Sequence, residues 1–565
     1  MDSESDSDSQ SKQNTESEEE GSAVEDHVEY SEHDTDSQQS ENSEEDVPSS
    51  PTPIHGNYYY GKDKTTKWNK VPPPITKTRK HNIITHLPGC KGPSKNVTRP
   101  SESFFLFFDD FVFDLLVENT NKYIVTEVKD NFSRERDARL VTKNEIKAFL
   151  GILIAGGVMR SSHLNFDDLF SVDDMGNEFF YTTMNKQRFL FILRCVRFDD
   201  KATRAERQET DKLAAIRTLF DYLVDKCGQL FTPSEYLTID EQLVAFRGHC
   251  NFRQYMPSKP NKYGIKIFAL VDARNFYNLK MEVYLGSQPE GPFQVSNSPG
   301  DVVTRLISPI SKSGRNITVD NWFTSIPLAE NLLKNHKLTL VGTLRKNKRE
   351  VPPEFQPNKT RAVKSTLFGF TTTITMMSYV PKKGKSVMLI STLHKDTAID
   401  KESGDAQKAE LLTFYNMTKG GVDTNDKLCA TYNVGRRTRR WPVAIFFHLI
   451  NVCAINALVI YNSGNNGNPL NRREFLKKLG RELAEPFQRE RMDDPHIPRN
   501  IRKRLYTHFD EETVVEPPAA AVPKTKKRCH ICPRSKNKAS RVTCIICNKH
   551  VCQEHQRTQC SECYE

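Results

Sequence analysis

Residues 236–248 read YLTIDEQLVAFRG, an apolar, β-branched run interrupted by the carboxylates Asp240 and Glu241. Two other stretches carry acidic residues in a comparable way. Residues 315–333, RNITVDNWFTSIPLAENLL, end a β-branched run on Asp320, and residues 415–429, YNMTKGGVDTNDKLC, set Asp423 behind a Gly-Gly pair. Asp426 follows three residues later, on the same face if the segment is helical. The pattern predicts Asp240 and Asp320 at strand ends and Asp423 at a helix start, from which they can converge on metal. Mg²⁺ takes hard oxygen ligands and keeps several waters, so a few carboxylates plus substrate phosphates suffice. A pair of such ions suits in-line displacement at phosphorus, because it stabilises both the attacking and the leaving oxygen. A single aspartate at a strand end is more often a turn or cap residue, and Glu241 or Asp272 looks no different in isolation.

Around these stretches the periodicity sets a multidomain α/β architecture. Strand patterns at YLTIDEQLVAF, YGIKIFALVDA and YNLKMEVYLG precede a helix at 301–310, the strand RNITVD, a helix at 327–335 and the strand LTLVGTLRK. Three antiparallel-type strands followed by alternating helix and strand fit a ribonuclease H-like core over 235–345. No GxGxxG follows the first strand, which argues against a dinucleotide-binding sheet. Residues 346–408 read as a polar insertion of short strands, and 409–433 as the rest of the catalytic domain. Residues 101–234 carry helical spacing, with Thr142 and Glu145 set as a capping box. Residues 434–510 extend the helical part.

Charge is unevenly spread over the 565 residues: 1–50 hold 18 Asp/Glu against Lys12 alone, while the whole chain is +9. An acidic tail on a basic body is the pattern of a polyanion binder whose tail can compete for the binding surface. Residues 1–100 are expected to be disordered, acidic to 50 and a basic, Pro-broken linker beyond. No apolar N-terminal run predicts a secretory signal. Residues 442–461, PVAIFFHLINVCAINALVIY, are nearly long enough to span a bilayer. His448, Asn451 and Asn456 interrupt them, which favours a helix buried inside the protein and no membrane.

Seven of the thirteen cysteines fall in the last 37 residues, after a basic linker at 511–527. Within 528–565, Cys529/Cys532, Cys544/Cys547, Cys552/His555 and Cys560/Cys563 form four pairs, each with two residues between ligands. Eight such ligands suit two tetrahedral Zn²⁺ ions. Interleaving would join pairs one and three, and two and four, in a cross-brace; sequential pairing is the alternative. The remaining cysteines read as reduced thiols.

Taken with FRGHCNFRQYMPSKPNKYGIKIF at 246–268 and RRTRRWP at 436–442, these motifs resemble the piggyBac family of DNA transposases over roughly residues 100–565. The resemblance implies that Asp240, Asp320 and Asp423 bind two Mg²⁺ ions, with Asp426 as an additional carboxylate. It implies that the helical parts, 101–234 and 434–510, form a dimerization and DNA-binding domain. Arg247, Arg345 and Lys348 are assigned with it to DNA contact. Arg436, Arg437, Arg439 and Arg440 follow Asp423, and helical spacing lets only some of them reach phosphate. Trp441 either stacks on a base or packs the core, and Trp322 is similarly open. In the zinc module, Lys526, Lys527, Arg528, Arg534 and Lys536 are the cations for transposon-end DNA. PKTKKR at 523–528 also resembles a nuclear import signal. The implied activity is cut-and-paste transposition by a homodimer on terminal inverted repeats, through hairpin ends and into TTAA. A domesticated DNA- or chromatin-binding relative is the alternative, and a zinc-module ubiquitin ligase is a rival from another class.

Overall fold

The computed structural model describes residues 56–74, 84, 86–172, 176–257, 259–464, 468–510, 526–544 and 549–555. The acidic segment 1–50 and most of the linker 511–527 therefore lie outside the described residues.

Part of the expected disordered linker is folded. Strands β1 (Tyr58–Tyr60) and β2 (Lys67–Asn69) form an antiparallel hairpin, and Asn69 pairs with Phe370. The reason is one aromatic: Trp68 is wholly buried and its Nε1 donates to the Glu350 carbonyl at 2.9 Å. Further on, β3 (Gly89–Cys90) pairs with β4 (Phe231–Thr232).

Helices α1 (Pro100–Phe105), α2 (Asp110–Tyr123), α3 (Lys143–Val158), α4 (Phe166–Leu169), α5 (Glu178–Thr183), α6 (Lys186–Cys195), α7 (Arg204–Gln208) and α8 (Arg217–Leu230) fill the predicted helical region. Thr142 caps α3 by accepting from Glu145 N at 3.2 Å. The Glu145 side chain does not complete the expected box; it is buried against Arg188 at 2.7 Å and Arg139 at 3.2 Å. Two cations in a desolvated site outbid one backbone donor.

The central sheet comes next in the chain. Strands β5 (Tyr236–Ala245), β6 (Arg253–Tyr255), β7 (Tyr263–Asp272) and β8 (Asn278–Val283) pair antiparallel around β7. After α9 (Pro299–Leu306), β9 (Asn316–Val319) lies parallel to β5; after α10 (Ile326–Asn335), β10 (Thr339–Thr343) lies parallel to β9. The order β8-β7-β5-β9-β10 is that of a ribonuclease H-like core. The expected β-rich insertion is present and extends this sheet: β11 (Thr366–Phe370), β12 (Thr375–Tyr379) and β13 (Val387–Ser391) run antiparallel outward from β10 to the N-terminal hairpin. A continuous apolar run buried on both faces, VMLIS at 387–391, packs the insertion onto the sheet.

Helices α11 (Glu410–Thr418) and α12 (Gly421–Thr431) cover the sheet, and α13 (Trp441–Gly464), α14 (Arg472–Asp493) and α15 (Arg499–Asp510) return to the helical part. There α3 and α14 cross where two glycines meet: a Cβ on Gly151 would stand 2.6 Å from the Gly480 carbonyl.

Helix α13 is long and apolar enough to cross a membrane, but 89% of its apolar window is buried inside the protein. Its polar residues explain why. Asn456 pairs with both backbone groups of Asn278 at 2.8 Å, and Asn451 accepts from Val434 N at 3.1 Å. His448 has no such partner, and burial pushes its imidazole down to about 4. Below the unfolded value of 6.5 the unfolded chain takes up a proton that the folded one refuses. The stability from neutral His448 is thus complete above pH 6.5 and lost as pH falls towards 4. Replacing His448 by Leu should flatten this part of the pH profile in urea melts, by on the order of 3 kcal/mol at its acid end.

Candidate active site and metal centres

Strand register brings the first two aspartates together. The last parallel pair of β5 and β9 is Ile239 with Val319, so Asp240 and Asp320 are the next residues on adjacent strands. Adjacent strands lie about 4.8 Å apart. Asp320 is at a strand end as expected. Asp240 is not: β5 runs on to Ala245 against β7, while its partner β9 stops, so the carboxylate sits beside the gap the shorter strand leaves.

The third aspartate arrives on α12, in its first turn, as the Gly-Gly pair predicted. A Cβ on Gly421 would stand 2.5 Å from Thr238 Oγ1, so only glycine allows the helix this close to β5. Hydroxyls lock the approach: Thr238 Oγ1 donates to the Thr418 carbonyl at 2.6 Å, and Thr318 and Thr418 hydroxyls share a bond of 2.7 Å. Beneath them Gln242 Nε2 donates to Asn425 Oδ1 at 2.9 Å. The scaffold is a rigid platform under three carboxylates.

Each carboxylate is held differently. Asp240 Oδ1 accepts from Glu241 N at 2.8 Å. Asp320 Oδ1 accepts from Trp322 N at 2.9 Å and Phe323 N at 3.3 Å, and its carbonyl accepts from Thr324 Oγ1. Asp423 is more open and pairs with Lys259 Nζ at 3.1 Å. Burial raises Asp240 well above the ordinary carboxylate range, and the charges of Glu241, Asp320 and Asp423 add to it. Burial, then Glu241, pushes Asp320 up to about 6 against the pull of its two N–H donors. Asp426 is raised to about 6 by burial as well, with Lys259 opposing. Negative charge gathered around Asp240, only partly offset by Lys259, favours a polyvalent cation. The donor set is all oxygen, which fits Mg²⁺. Among the described residues, the groups with three or more candidate ligand atoms within 4.8 Å of one another do not include this trio.

One neighbour went unmarked in the sequence. Lys259, on the loop between β6 and β7, donates to Asp423 Oδ1 and to the Glu241 carbonyl, both at 3.1 Å. Glu241 faces Lys266 at 3.8 Å. The basic spacing of PSKPNK at 257–262 was the available signal for Lys259. Lys259→Met should cost the metal-free protein about 1–2 kcal/mol, discounted for the exposure of Asp423. Mg²⁺ should then raise its melting temperature more than that of the wild type; an equal rise in both would show that Lys259 does not counter the carboxylates. Asp272, by contrast, is structural: it accepts from Ser234 N, Ser234 Oγ and Arg274 N at 2.6, 2.7 and 2.8 Å.

The basic candidates divide. Arg247 and Arg345 are exposed, Lys348 is partly so, and Arg345 Nε donates to Asn321 Oδ1 at 3.3 Å beside Asp320. Arg437 and Arg439 are exposed. Arg436 and Arg440 have other work: Arg436 Nη2 donates to Ser161 Oγ at 2.7 Å, and Arg440 Nη1 donates to the Arg194 carbonyl at 2.9 Å. These two guanidiniums satisfy backbone acceptors left over in the helical part, a role that charge alone does not reveal. Trp441 stands edge-on to Phe252 at 5.0 Å, and Trp322 stacks on Phe268 at 5.4 Å. Both pack against the core.

In the C-terminal module the Sγ atoms of Cys529, Cys532 and Cys552 and the His555 ring converge within 4.8 Å. Cys532 and Cys552 Sγ stand 3.6 Å apart, and His555 Nδ1 lies 3.8, 3.6 and 3.2 Å from the three sulfurs in chain order. Those edges suit a tetrahedron with Zn–S near 2.3 Å and Zn–N near 2.0–2.1 Å. Burial alone would raise the Cys529 thiol, but N–H donors around Cys552 and Cys532 bring it down to about 6, towards the thiolate a metal needs. Pairs one and three thus meet, the first half of a cross-brace. Cys544 is buried, whereas Cys547, Cys560 and Cys563 lie outside the described residues. Lys526, Lys527, Arg528, Arg534 and Lys536 are all exposed.

The fold is that of a transposase-type core. The family model described as Transposase IS4 matches residues 99–458, and the chain belongs to that family, in its piggyBac branch. It is 24% identical to human PiggyBac transposable element-derived protein 3 over 62% of this chain and 60% of that protein. Human PiggyBac transposable element-derived protein 2 is 23% identical over 63% of this chain and 60% of its own length. The chain therefore spans about 60% of the length of these relatives. A cryo-EM structure of a piggyBac transposase synaptic complex with hairpin DNA superposes with a TM-score of 0.71 at 34% identity, covering 85% of this chain and all of that one.

Proposed function

We propose that the protein is an active DNA transposase that cuts transposon ends and joins them to target DNA. The observation that carries this reading is the side-by-side placing of Asp240 and Asp320 by strand register, with Gly421 letting the helix that bears Asp423 approach the same strand. Held by these carboxylates, Mg²⁺ ions would activate water and stabilise the oxygens that gain charge at phosphorus. The chain's own residues supply the rest. Asp320 is fixed by the Trp322 and Phe323 amides, Lys259 offsets part of the negative charge, and Asp426 backs Asp423 on the same helix. Water first opens one phosphodiester and leaves a 3′-hydroxyl and a 5′-phosphate. That hydroxyl then attacks a second phosphodiester, forming a new ester and releasing the former 3′-oxygen.

Arg247, Arg345, Lys348, Arg437 and Arg439 are the cations we assign to DNA phosphates. The partner is duplex DNA, with terminal inverted repeats bound by a homodimer, excision through hairpin ends, and integration at TTAA in the nucleus. Support comes from the fold match to a complex holding hairpin DNA. Zn²⁺ at Cys529, Cys532, Cys552 and His555 would fold the terminal module, and a second ion would use Cys544, Cys547, Cys560 and Cys563. The test is incubation of the purified chain with Mg²⁺ and labelled transposon-end duplexes. Cleavage at the TTAA boundary supports the reading. Binding without cleavage would leave only a DNA-binding relative.

A further inference from the structure

The loop 344–351, LRKNKREV, runs from β10 past the catalytic carboxylates and packs four cations into five residues. Its first residue is fixed, since Leu344 N donates to the Met388 carbonyl at 2.9 Å. Within the loop only two weak turns, Lys348 N to Arg345 O and Val351 N to Lys348 O, both at 3.3 Å, hold it in shape. Like charges so close repel one another, and a loop this polar has little core of its own to anchor it.

Gln356 Nε2, beyond the loop, donates to Lys346 O at 2.7 Å, and further outside support comes from the N-terminal hairpin. Asp63 N donates to Arg349 O at 3.0 Å, Trp68 Nε1 to Glu350 O at 2.9 Å and Lys62 N to Val351 O at 3.3 Å. Lys62 Nζ reaches Lys346 O at 3.1 Å. Four donors from three hairpin residues thus meet four carbonyls of one loop. The fit is close: a Cβ on Gly61 would stand 2.9 Å from Glu350 O. The hairpin is itself stiffened, because Asp63 Oδ1 accepts from Thr65 N at 3.0 Å and Thr66 N at 2.9 Å. Trp68 is buried, and the Tyr59 ring stands edge-on to Phe355 at 5.2 Å just beyond the loop.

We propose that the hairpin 56–70 is a positioning clamp that holds Arg345 and Lys348 against the DNA phosphates beside the catalytic carboxylates, with Trp68 its anchor. This rests on the transposase reading for the DNA, but not for the clamp itself. Each of these four hairpin bonds ends on a loop carbonyl, and Arg345 stands exposed beside Asn321. Trp68 is a positioning residue: it touches the loop and not the substrate.

The experiment uses the full chain, with hydrogen exchange of residues 344–351 and the salt dependence of duplex DNA binding as readouts. In Trp68→Ala, loop exchange should rise about tenfold or more while β5 and β9 stay protected. The slope of log affinity against log salt should become shallower by about 1–2, as it should in Arg345→Ala/Lys348→Ala. Combining the three substitutions should add nothing further. Trp68→Phe keeps an aromatic ring in the pocket but loses part of the indole volume and the bond to Glu350 O, so it should shift both readouts less than Trp68→Ala. Lys62→Met serves the same comparison if Trp68→Ala does not fold. Unchanged loop exchange, a loosened loop with an unchanged slope, or additive losses would overturn the proposal. If the wild type neither binds nor cuts DNA, the transposase reading fails, and the exchange arm still decides whether the hairpin holds the loop.

Discussion

Asp240→Asn, Asp320→Asn and Asp423→Asn proteins should each fold and bind duplex DNA, yet lose metal-dependent strand cleavage by on the order of 10³-fold or more. Asparagine keeps the shape and one oxygen, so the N–H bonds that orient Asp320 survive while the charge is lost. A second effect has the opposite sign. Asp240 is buried among Glu241, Asp320 and Asp423, which raise its pKa, so the ionised site is self-repelling without metal. Asp240→Asn should therefore stabilise the metal-free protein by about 1 kcal/mol in urea melts, as stability is often gained when a functional site is neutralised. A protein that loses activity and stability together would point instead to damage of the scaffold. Glu241→Gln offers a control, because it relieves the same repulsion without removing one of the three aspartates.

Zinc removal is the second large effect. A tight Zn²⁺ chelator should abolish hydrogen-exchange protection across 526–555, since a module of this size has no apolar core to replace the metal. Binding of about 10–16 kcal/mol per structural ion is folding energy in such modules. The core unit, whose buried residues run from Trp68 to Leu505, should melt unchanged. Metal analysis should find two zinc per chain, falling to one in Cys544→Ser. Full protection of 526–555 in the chelated protein would contradict the centre at Cys529, Cys532, Cys552 and His555.

Much of the site was legible because its chemistry is local. Gly421 announces a close helix approach, and the CxxC spacing announces knuckles. The pairing of Ile239 with Val319 was not legible, since register is fixed by partners 80 residues apart. For that reason Asp240 read as a strand end and proved to sit mid-strand beside a shorter neighbour. The hairpin was hidden by composition: a Lys- and Pro-rich segment looks unfolded until one knows that Trp68 has a pocket waiting on another part of the chain. Arg436 and Arg440 erred for a similar reason. Guanidiniums that satisfy backbone carbonyls and guanidiniums that meet phosphate share the same sequence signature. The insertion was legible as short strands, but the sheet edge they extend was not, because partners outside the segment set it.

The most direct test of the central claim is a structure of the full chain bound to transposon-end DNA with Mn²⁺, located by its anomalous signal. The account predicts manganese held by Asp240, Asp320 and Asp423 beside the scissile phosphate. Manganese bound elsewhere, or carboxylates still apart around DNA, would contradict it.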